Sequence, residues 1–182
     1  MIIFIIGCIM HKKIDSYLRK GQIVKDETVV SLTGKYLDKA RTNLITMNVL
    51  SDLNNQKTKD FLGLQKDYDA NEWVVVAGYY AMYTAALALL AKISFRSKSH
   101  AATLVILDNY YVRKNVLDKK DLELMKDAHF RKEEIEQLSD AKRRREIAQY
   151  NVTKETTKVI AEEIKKNAYE FVNKVELILA KD

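Results

Sequence analysis

Apolar residues recur at helical spacing near the start of the chain. Between residues 26 and 53 they lie three or four residues apart, or at the sum of those steps; the members are Val30, Leu37, Ala40, Leu44, Met47 and Leu50. A stripe with this period covers one face of an α-helix. The pattern predicts a helix over 26–53, followed over 54–68 by a polar connection that contains a short apolar patch.

A run of nineteen uncharged residues extends from Trp73 to Ala91. Asp69 and Glu72 have the spacing of a capping box and mark its start. The run is long enough to cross a membrane. However, it contains Gly78 and several tyrosines, and its neighbours are amphipathic helices that need an apolar partner. A helix that is apolar all round is typical of the centre of a bundle, so we predict a buried central helix over 70–92 and no membrane contact.

Three further helices are predicted after a basic connection over 92–98. Ser99 is expected to cap a helix that ends near residue 112, Asp118 a helix that extends towards Tyr150 with a bend near 139–140, and Thr153 the last helix. The apolar stripe of the last helix repeats at steps of 3, 4, 3, 4 and 3, through Ala161, Ile164, Ala168, Phe171, Val175 and Ile178. This heptad seam fits either an antiparallel bundle or a dimer face.

Composition supports a fold of long helices. The 182 residues include no proline and five glycines, whereas sheet proteins and phosphate-binding glycine loops need such residues at their turns. We predict an all-α, antiparallel bundle of four to five long helices over 26–182, preceded by an N-terminal segment over 1–25. The apolar residues 1–10 are too few to span a bilayer. They are interpreted as a short buried helix or an upstream start with Met10 as the natural first residue, the alternative being a weak membrane-facing anchor.

Few residues suggest chemistry. One cysteine and three widely spaced histidines predict no disulfide, metal site or cofactor. The 31 basic and 25 acidic residues give a net charge of +6, which permits a polyanionic partner. Residues 142–145 are all basic, and four consecutive residues cover the whole circumference of a helix. At least one arginine must therefore face other helices or a partner, either to pair with a buried carboxylate or to bind phosphate.

Tyr150 and His100 complete the candidate site residues. Tyr150 follows Arg143 by seven residues and so shares its helical face. His100 is expected at a helix N-terminus, where it is either structural or a weaker member of a phosphate-binding site. Arg143, Arg145 and Tyr150 are the residues on which we expect binding to depend, and substitution of His100 is expected to matter little.

Two stretches of the sequence resemble the HEPN family, the higher-eukaryote and prokaryote nucleotide-binding domains. Residues 78–90, GYYAMYTAALALL, are similar to the family's central helix, and the REIAQY of residues 145–150 is similar to its RxxADY. The terminal AYEFV of residues 168–172 is similar to its AxxFV, so that the resemblance covers about residues 27–180. It implies a helical bundle, usually a homodimer, in prokaryotic cytoplasm. It also implies a pairing with a minimal nucleotidyltransferase as a toxin–antitoxin couple, or a metal-independent ribonuclease.

The catalytic histidine of such ribonucleases has no counterpart here. With Tyr150 and Arg143 placed on the family's pattern, the histidine position falls on Ala148 and the aspartate of the ADY triplet on Gln149. Without an imidazole to move protons, we expect binding rather than catalysis, namely a nucleotide- or RNA-binding accessory subunit. The alternatives are an endoribonuclease that uses a displaced histidine, and a dimeric helical scaffold without a ligand.

Overall fold

The protein forms an all-α bundle with one small two-stranded sheet. The computed structural model describes residues 13–142 and 150–181, with side chains for 13–137 and 157–181. In these ranges the elements are α1 (13–19), β1 (Ile23–Lys25), a 3-10 helix (Glu27–Leu32), α2 (Thr33–Asp52), α3 (Gln56–Leu62), α4 (Asn71–Lys92), β2 (Phe95–Ser97), α5 (His100–Leu107) with a π-helical extension (Asp108–Val112), α6 (Lys119–Lys142) and α7 (Tyr150–Leu179). Helices α2, α4, α6 and α7 have 20 to 30 residues each. The predicted bundle of four to five long helices is confirmed.

Helix α4 is the core of the bundle. It packs against α2 and α7, and also against α5 and α6. Its length and composition would allow it to cross a membrane, but 78% of its apolar stretch is buried inside the protein. Neighbouring helices approach the α4 backbone closely at Gly78, where a Cβ atom would lie 2.6 Å from Cγ2 of Ile164 and 3.1 Å from Sδ of Met47. The glycine therefore allows α7 and α2 to pack close to the α4 backbone.

The seam of α7 is covered within the chain. Ala161, Ile164, Ala168, Phe171 and Val175 are all buried in the core, and Ile178 packs against it. Of the two interpretations of the seam, the structure supports intramolecular packing. A homodimer of this chain would use another surface.

The small sheet joins the N-terminal segment to the middle of the chain. β1 pairs with β2 in antiparallel fashion, with Ile23 opposite Ser97 and Lys25 opposite Phe95. Ile23 and Phe95 are buried, as is Ile14 of α1. The described part of the N-terminal segment thus contributes to the same core as the bundle. Residues 1–12, on which the start-site and anchor interpretations depend, lie outside the described residues.

The predicted caps are realised at the start of α5 and only approximately at the start of α4. The Ser99 hydroxyl accepts a hydrogen bond from the Ala102 N–H at 3.2 Å and caps α5, as predicted. Asp69 accepts a hydrogen bond from the Asn71 N–H at 2.7 Å, although α4 begins two residues later and Ala70 occupies the cap. The helix therefore begins one residue later than a capping box with Asp69 at the N-cap would place it.

Three expectations about helix boundaries were wrong. Thr153 lies inside α7, which begins at Tyr150. The helix predicted over 26–53 is 3-10 in its first turns, so that Val29 rather than Val30 is buried. The connection over 54–68 contains helix α3, which begins after the side-chain cap of Asn55 and ends at Gly63 in the left-handed conformation.

Candidate functional site

The only two histidines within the described residues lie against each other. His100 is the first residue of α5, and His129 is on α6. Their rings stack with centroids 4.0 Å apart and an interplanar angle of 16°. The contact joins residues 29 positions apart, and it depends on α5 and α6 both packing against α4.

Tyrosines of α4 form the floor under this pair. Tyr79 and Tyr83 are one helical turn apart and stack at 5.8 Å. The Tyr79 ring lies 5.3 Å from His129 and 5.9 Å from His100, and Tyr83 lies 6.2 Å from His100. We call these four residues, together with the partly exposed Tyr80, the imidazole–tyrosine cluster.

Three ring nitrogens of the cluster lack hydrogen-bond partners. Both nitrogens of His100 and Nδ1 of His129 are buried without a partner, whereas Nε2 of His129 lies 3.3 Å from Oε1 of Glu133. A buried polar group without a partner costs about 1–3 kcal/mol. Native proteins rarely retain such groups unless water, an ion or a ligand meets them.

The electrostatics keep His100 neutral. Burial, with smaller contributions from His129 and Lys126, lowers the pKa of His100 to about 4. The imidazole therefore has one N–H donor and one acceptor nitrogen at neutral pH. Burial also raises the pKa of Tyr79, with further contributions from the neighbouring tyrosines and from Glu133 and Glu136, so that its phenol stays protonated.

Lys132 lies at the edge of the cluster. Nζ of Lys132 lies 5.9 Å from the Tyr79 ring centroid and 6.0 Å from that of Tyr80, and it pairs with Glu136 at 2.7 Å. Tyr80 is 42% exposed, so an aromatic face is available at the surface beside Lys132, which is largely buried and paired with Glu136. The cluster thus combines aromatic rings, hydrogen-bonding imidazoles and positive charge.

The predicted site residues have different outcomes. Arg143 and Arg145 lie outside the described residues. Tyr150 is placed as the first residue of α7, but its side chain is not described. His100, expected to be the weakest member, is the one that the structure places in a cluster of titratable and aromatic groups. No group of three or more candidate metal ligands occurs in the described parts of the chain.

Sequence reasoning missed His129. Along α6, His129, Lys132, Glu133 and Glu136 follow at helical spacing and share one face, which is a local signal. The partners of that face come from α4 and α5, however, and the sequence pattern does not bring them together. The tyrosines of α4 were likewise interpreted only as core residues.

Comparisons of the chain with models of protein families, with curated proteins and with solved structures find no match. A function for this chain is therefore argued from the geometry of the cluster and from the resemblance noted in the sequence.

Proposed function

We propose that this chain is a nucleotide- or RNA-binding accessory subunit that acts with a minimal nucleotidyltransferase in a toxin–antitoxin-type pair, as a homodimer in prokaryotic cytoplasm. The resemblance to HEPN domains motivates the partner, the dimer and the compartment. The all-α bundle around α4 agrees with the fold that the resemblance implies. Sedimentation at micromolar concentration tests the dimer, and a monomer there would contradict that part of the proposal.

The observation that carries the binding function is the set of unpartnered ring nitrogens in a cluster whose edge contains Tyr80 and Lys132. A neutral imidazole can donate an N–H to a phosphate oxygen or to the edge of a base. Exposed aromatic rings stack on bases and contribute about 1–3 kcal/mol per base. Lysines add a salt-dependent attraction to the phosphate backbone.

In this proposal the ligand supplies the hydrogen-bond partners that the folded chain lacks. A base stacks on Tyr80, its neighbouring phosphate lies near Lys132, and His100 and His129 contact the same nucleotide. Arg143, Arg145 and Tyr150 remain a predicted second phosphate contact. Because single strands expose their bases for stacking, single-stranded RNA is the favoured form of the nucleic acid.

Fluorescence anisotropy with a labelled single-stranded RNA tests the proposal. Lys132→Gln is expected to weaken binding, and to reduce the slope of log affinity against log salt by about one, because one phosphate contact is lost. Lys166→Gln is the matched control, since Lys166 also pairs with a glutamate four residues on, at 3.9 Å from Glu170, but its side chain is exposed on α7, away from the cluster. Equal effects of the two variants would remove the cluster from the binding site.

A second candidate function, a metal-independent endoribonuclease, is favoured by the presence of a second imidazole. His129 partly compensates for the histidine missing at Ala148. One imidazole would accept the proton of a ribose 2′-hydroxyl whose oxygen attacks phosphorus. The other would protonate the leaving 5′-oxygen as the phosphorus–oxygen bond breaks.

Incubation of labelled RNA with the purified protein in chelator distinguishes the two functions. Binding without cleavage supports the accessory subunit. Cleavage that is lost in both His100→Ala and His129→Ala, with a 2′,3′-cyclic phosphate on the product, supports the ribonuclease instead. Cleavage that survives in both variants would indicate a contaminating nuclease and leave the binding proposal standing on its own assay.

A further inference from the structure

A cleft of about 440 Å³ lies beside the small sheet and shares no residue with the imidazole–tyrosine cluster. Its lining comes from β1, β2, α2, α4 and the adjoining loops, and comprises Val24, Asp26, Tyr36, Leu87, Phe95, Arg96, Ser97 and Lys98. The volume falls in the range of about 300–1,000 Å³ that is typical of small-molecule sites. Its wall combines cations with aromatic and aliphatic side chains.

Arg96 is held in place at this cleft by Asp26. Oδ1 of Asp26 accepts hydrogen bonds from the N–H and hydroxyl of Thr28 at 2.9 and 2.6 Å, and Oδ2 accepts one from Nε of Arg96 at 2.6 Å. These bonds, chiefly those of Thr28, lower the pKa of Asp26. The carboxylate is therefore ionised and orients the guanidinium group.

The Nη groups of Arg96 are left available by this arrangement. Among the described residues, Asp26 is the only ion-pair partner of the guanidinium, and it binds through Nε. Two parallel N–H donors on a fixed plane match the oxygens of a carboxylate or a phosphate. An arginine positioned in this way loses less conformational freedom on binding than a free side chain would.

Lys98 places a second cation on the lining. Its backbone N–H donates to the Gln22 carbonyl at 2.9 Å and extends the pairing of the sheet, while its ammonium group forms no ion pair with any described residue. Two cations against one carboxylate, Asp26, give the cleft a net charge of +1. The rest of the lining includes the mainly apolar side chains of Tyr36, Leu87 and Phe95.

We propose that this cleft binds a small organic anion with a flat, apolar body. A carboxylate or phosphate head group contacts Arg96 and Lys98, and the body lies against Tyr36, Leu87 and Phe95. The site is independent of the proposed nucleic-acid function, because it uses other residues on another part of the bundle.

Isothermal titration calorimetry on the full chain tests the proposal with four probes. Adenosine 5′-monophosphate and 2-naphthoate have both a flat body and an anionic head, and they distinguish phosphate from carboxylate as the preferred group. Adenosine has no anionic head, and inorganic phosphate has no flat body. We expect at least one of the first two to bind at least about tenfold more tightly than either of the others, as one charge-assisted contact warrants. The proposal would be overturned if adenosine bound as tightly as adenosine 5′-monophosphate, or if neither adenosine 5′-monophosphate nor 2-naphthoate bound.

Three variants locate the binding. Arg96→Lys keeps the charge but removes the planar guanidinium group, and it is expected to lower the affinity for the anion at least about tenfold. Lys98 is exposed, and Lys98→Gln leaves the ion pair between Arg96 and Asp26 intact. This variant therefore tests the site independently if Arg96→Lys disturbs the fold. Lys57→Gln removes the same charge from exposed α3 and is expected to bind as the parent chain does. Unchanged affinity in both Arg96→Lys and Lys98→Gln would refute the site, whatever the outcome of the RNA assay.

Discussion

Replacing Gly78 by alanine tests the packing on which the whole bundle depends. The added Cβ would lie 2.6 Å from Cγ2 of Ile164 and 3.1 Å from Sδ of Met47. Met47 can move away, because its side chain is long and flexible. Cγ2 of Ile164 cannot move cheaply, since a β-branched side chain in a helix has one strongly preferred χ1 rotamer. α7 must therefore shift relative to α4.

The magnitude follows from two opposing effects. Overpacking of a well-packed core costs about 1–3 kcal/mol, while alanine gains up to about 1 kcal/mol over glycine in a helix interior. We expect Gly78→Ala to lower the free energy of unfolding by about 1–2 kcal/mol. At about 2–4 °C per kcal/mol for a chain of this size, the melting temperature should fall by about 2–8 °C.

Gly34→Ala provides the control. Gly34 also lies in a helix, α2, but a Cβ there would meet nothing within 4 Å. The same substitution should therefore stabilise the protein by up to about 1 kcal/mol. Thermal unfolding followed by circular dichroism measures both variants, and similar stabilisation by both would refute the close approach of α7 to α4.

The pairing of Gly78 with Ile164 can be isolated further. Ile164→Leu removes the branched methyl group that the new Cβ would meet, whereas Ile164→Val keeps it. In a double-mutant cycle, Gly78→Ala should cost less in the leucine background than in the valine background. Equal costs in the two backgrounds would show that the strain arises elsewhere.

Three other variants test separate features by thermal unfolding. His100→Phe should raise stability at pH 7, because it removes two unpartnered nitrogens. The variant should also lose less stability than the parent chain as the pH falls from 6.5 to 4. In that range His100 binds a proton in the unfolded chain but not in the folded chain, where its pKa is about 4. An unchanged dependence of stability on pH would contradict the burial of this imidazole. Tyr111→Phe removes a buried hydrogen bond of 2.6 Å to the Leu89 carbonyl and should lower the free energy of unfolding by about 0.5–1.5 kcal/mol. An unchanged free energy of unfolding would indicate that the Tyr111 hydroxyl is exposed to solvent. Lys174→Met removes the ammonium group that pairs with both Asp118 and the buried Asp121 at 2.6 Å and should cost about 1–3 kcal/mol at pH 7; an unchanged melting temperature would argue against these ion pairs.

The long helices could be predicted because their signals are local. The nineteen uncharged residues of α4 and the heptad seam of α7 are visible along the chain, and both are largely buried, with Trp73 and Tyr80 as exposed exceptions in α4. Ser99 caps α5 by a contact within one turn. Each of these features depends on residues within a few positions of one another, which is the range that periodicity reports.

Features that depend on distant partners could not be predicted. The strands have three residues each, and with sixty-nine residues between them the pairing leaves no local pattern. Helix α3 presents only Lys59 as a buried side chain, so it has no apolar stripe to detect. The contact of His100 with His129 exists because α5 and α6 both pack on α4. The sequence analysis identified His100 but not His129, and the arginines that it favoured, Arg143 and Arg145, lie outside the described residues.

The position of α4 between α2 and α7 has a consequence for synthesis on the ribosome. Helix α2 precedes α4 and can cover one side of it as soon as both have emerged. The other side is covered by α7, which begins nearly sixty residues after α4 ends. At about 5–20 residues per second, the nascent chain carries an apolar helix with an unprotected side for several seconds. A chain terminated after residue 142 would keep that surface exposed, so the final thirty-residue helix is required to protect the core as well as to complete it.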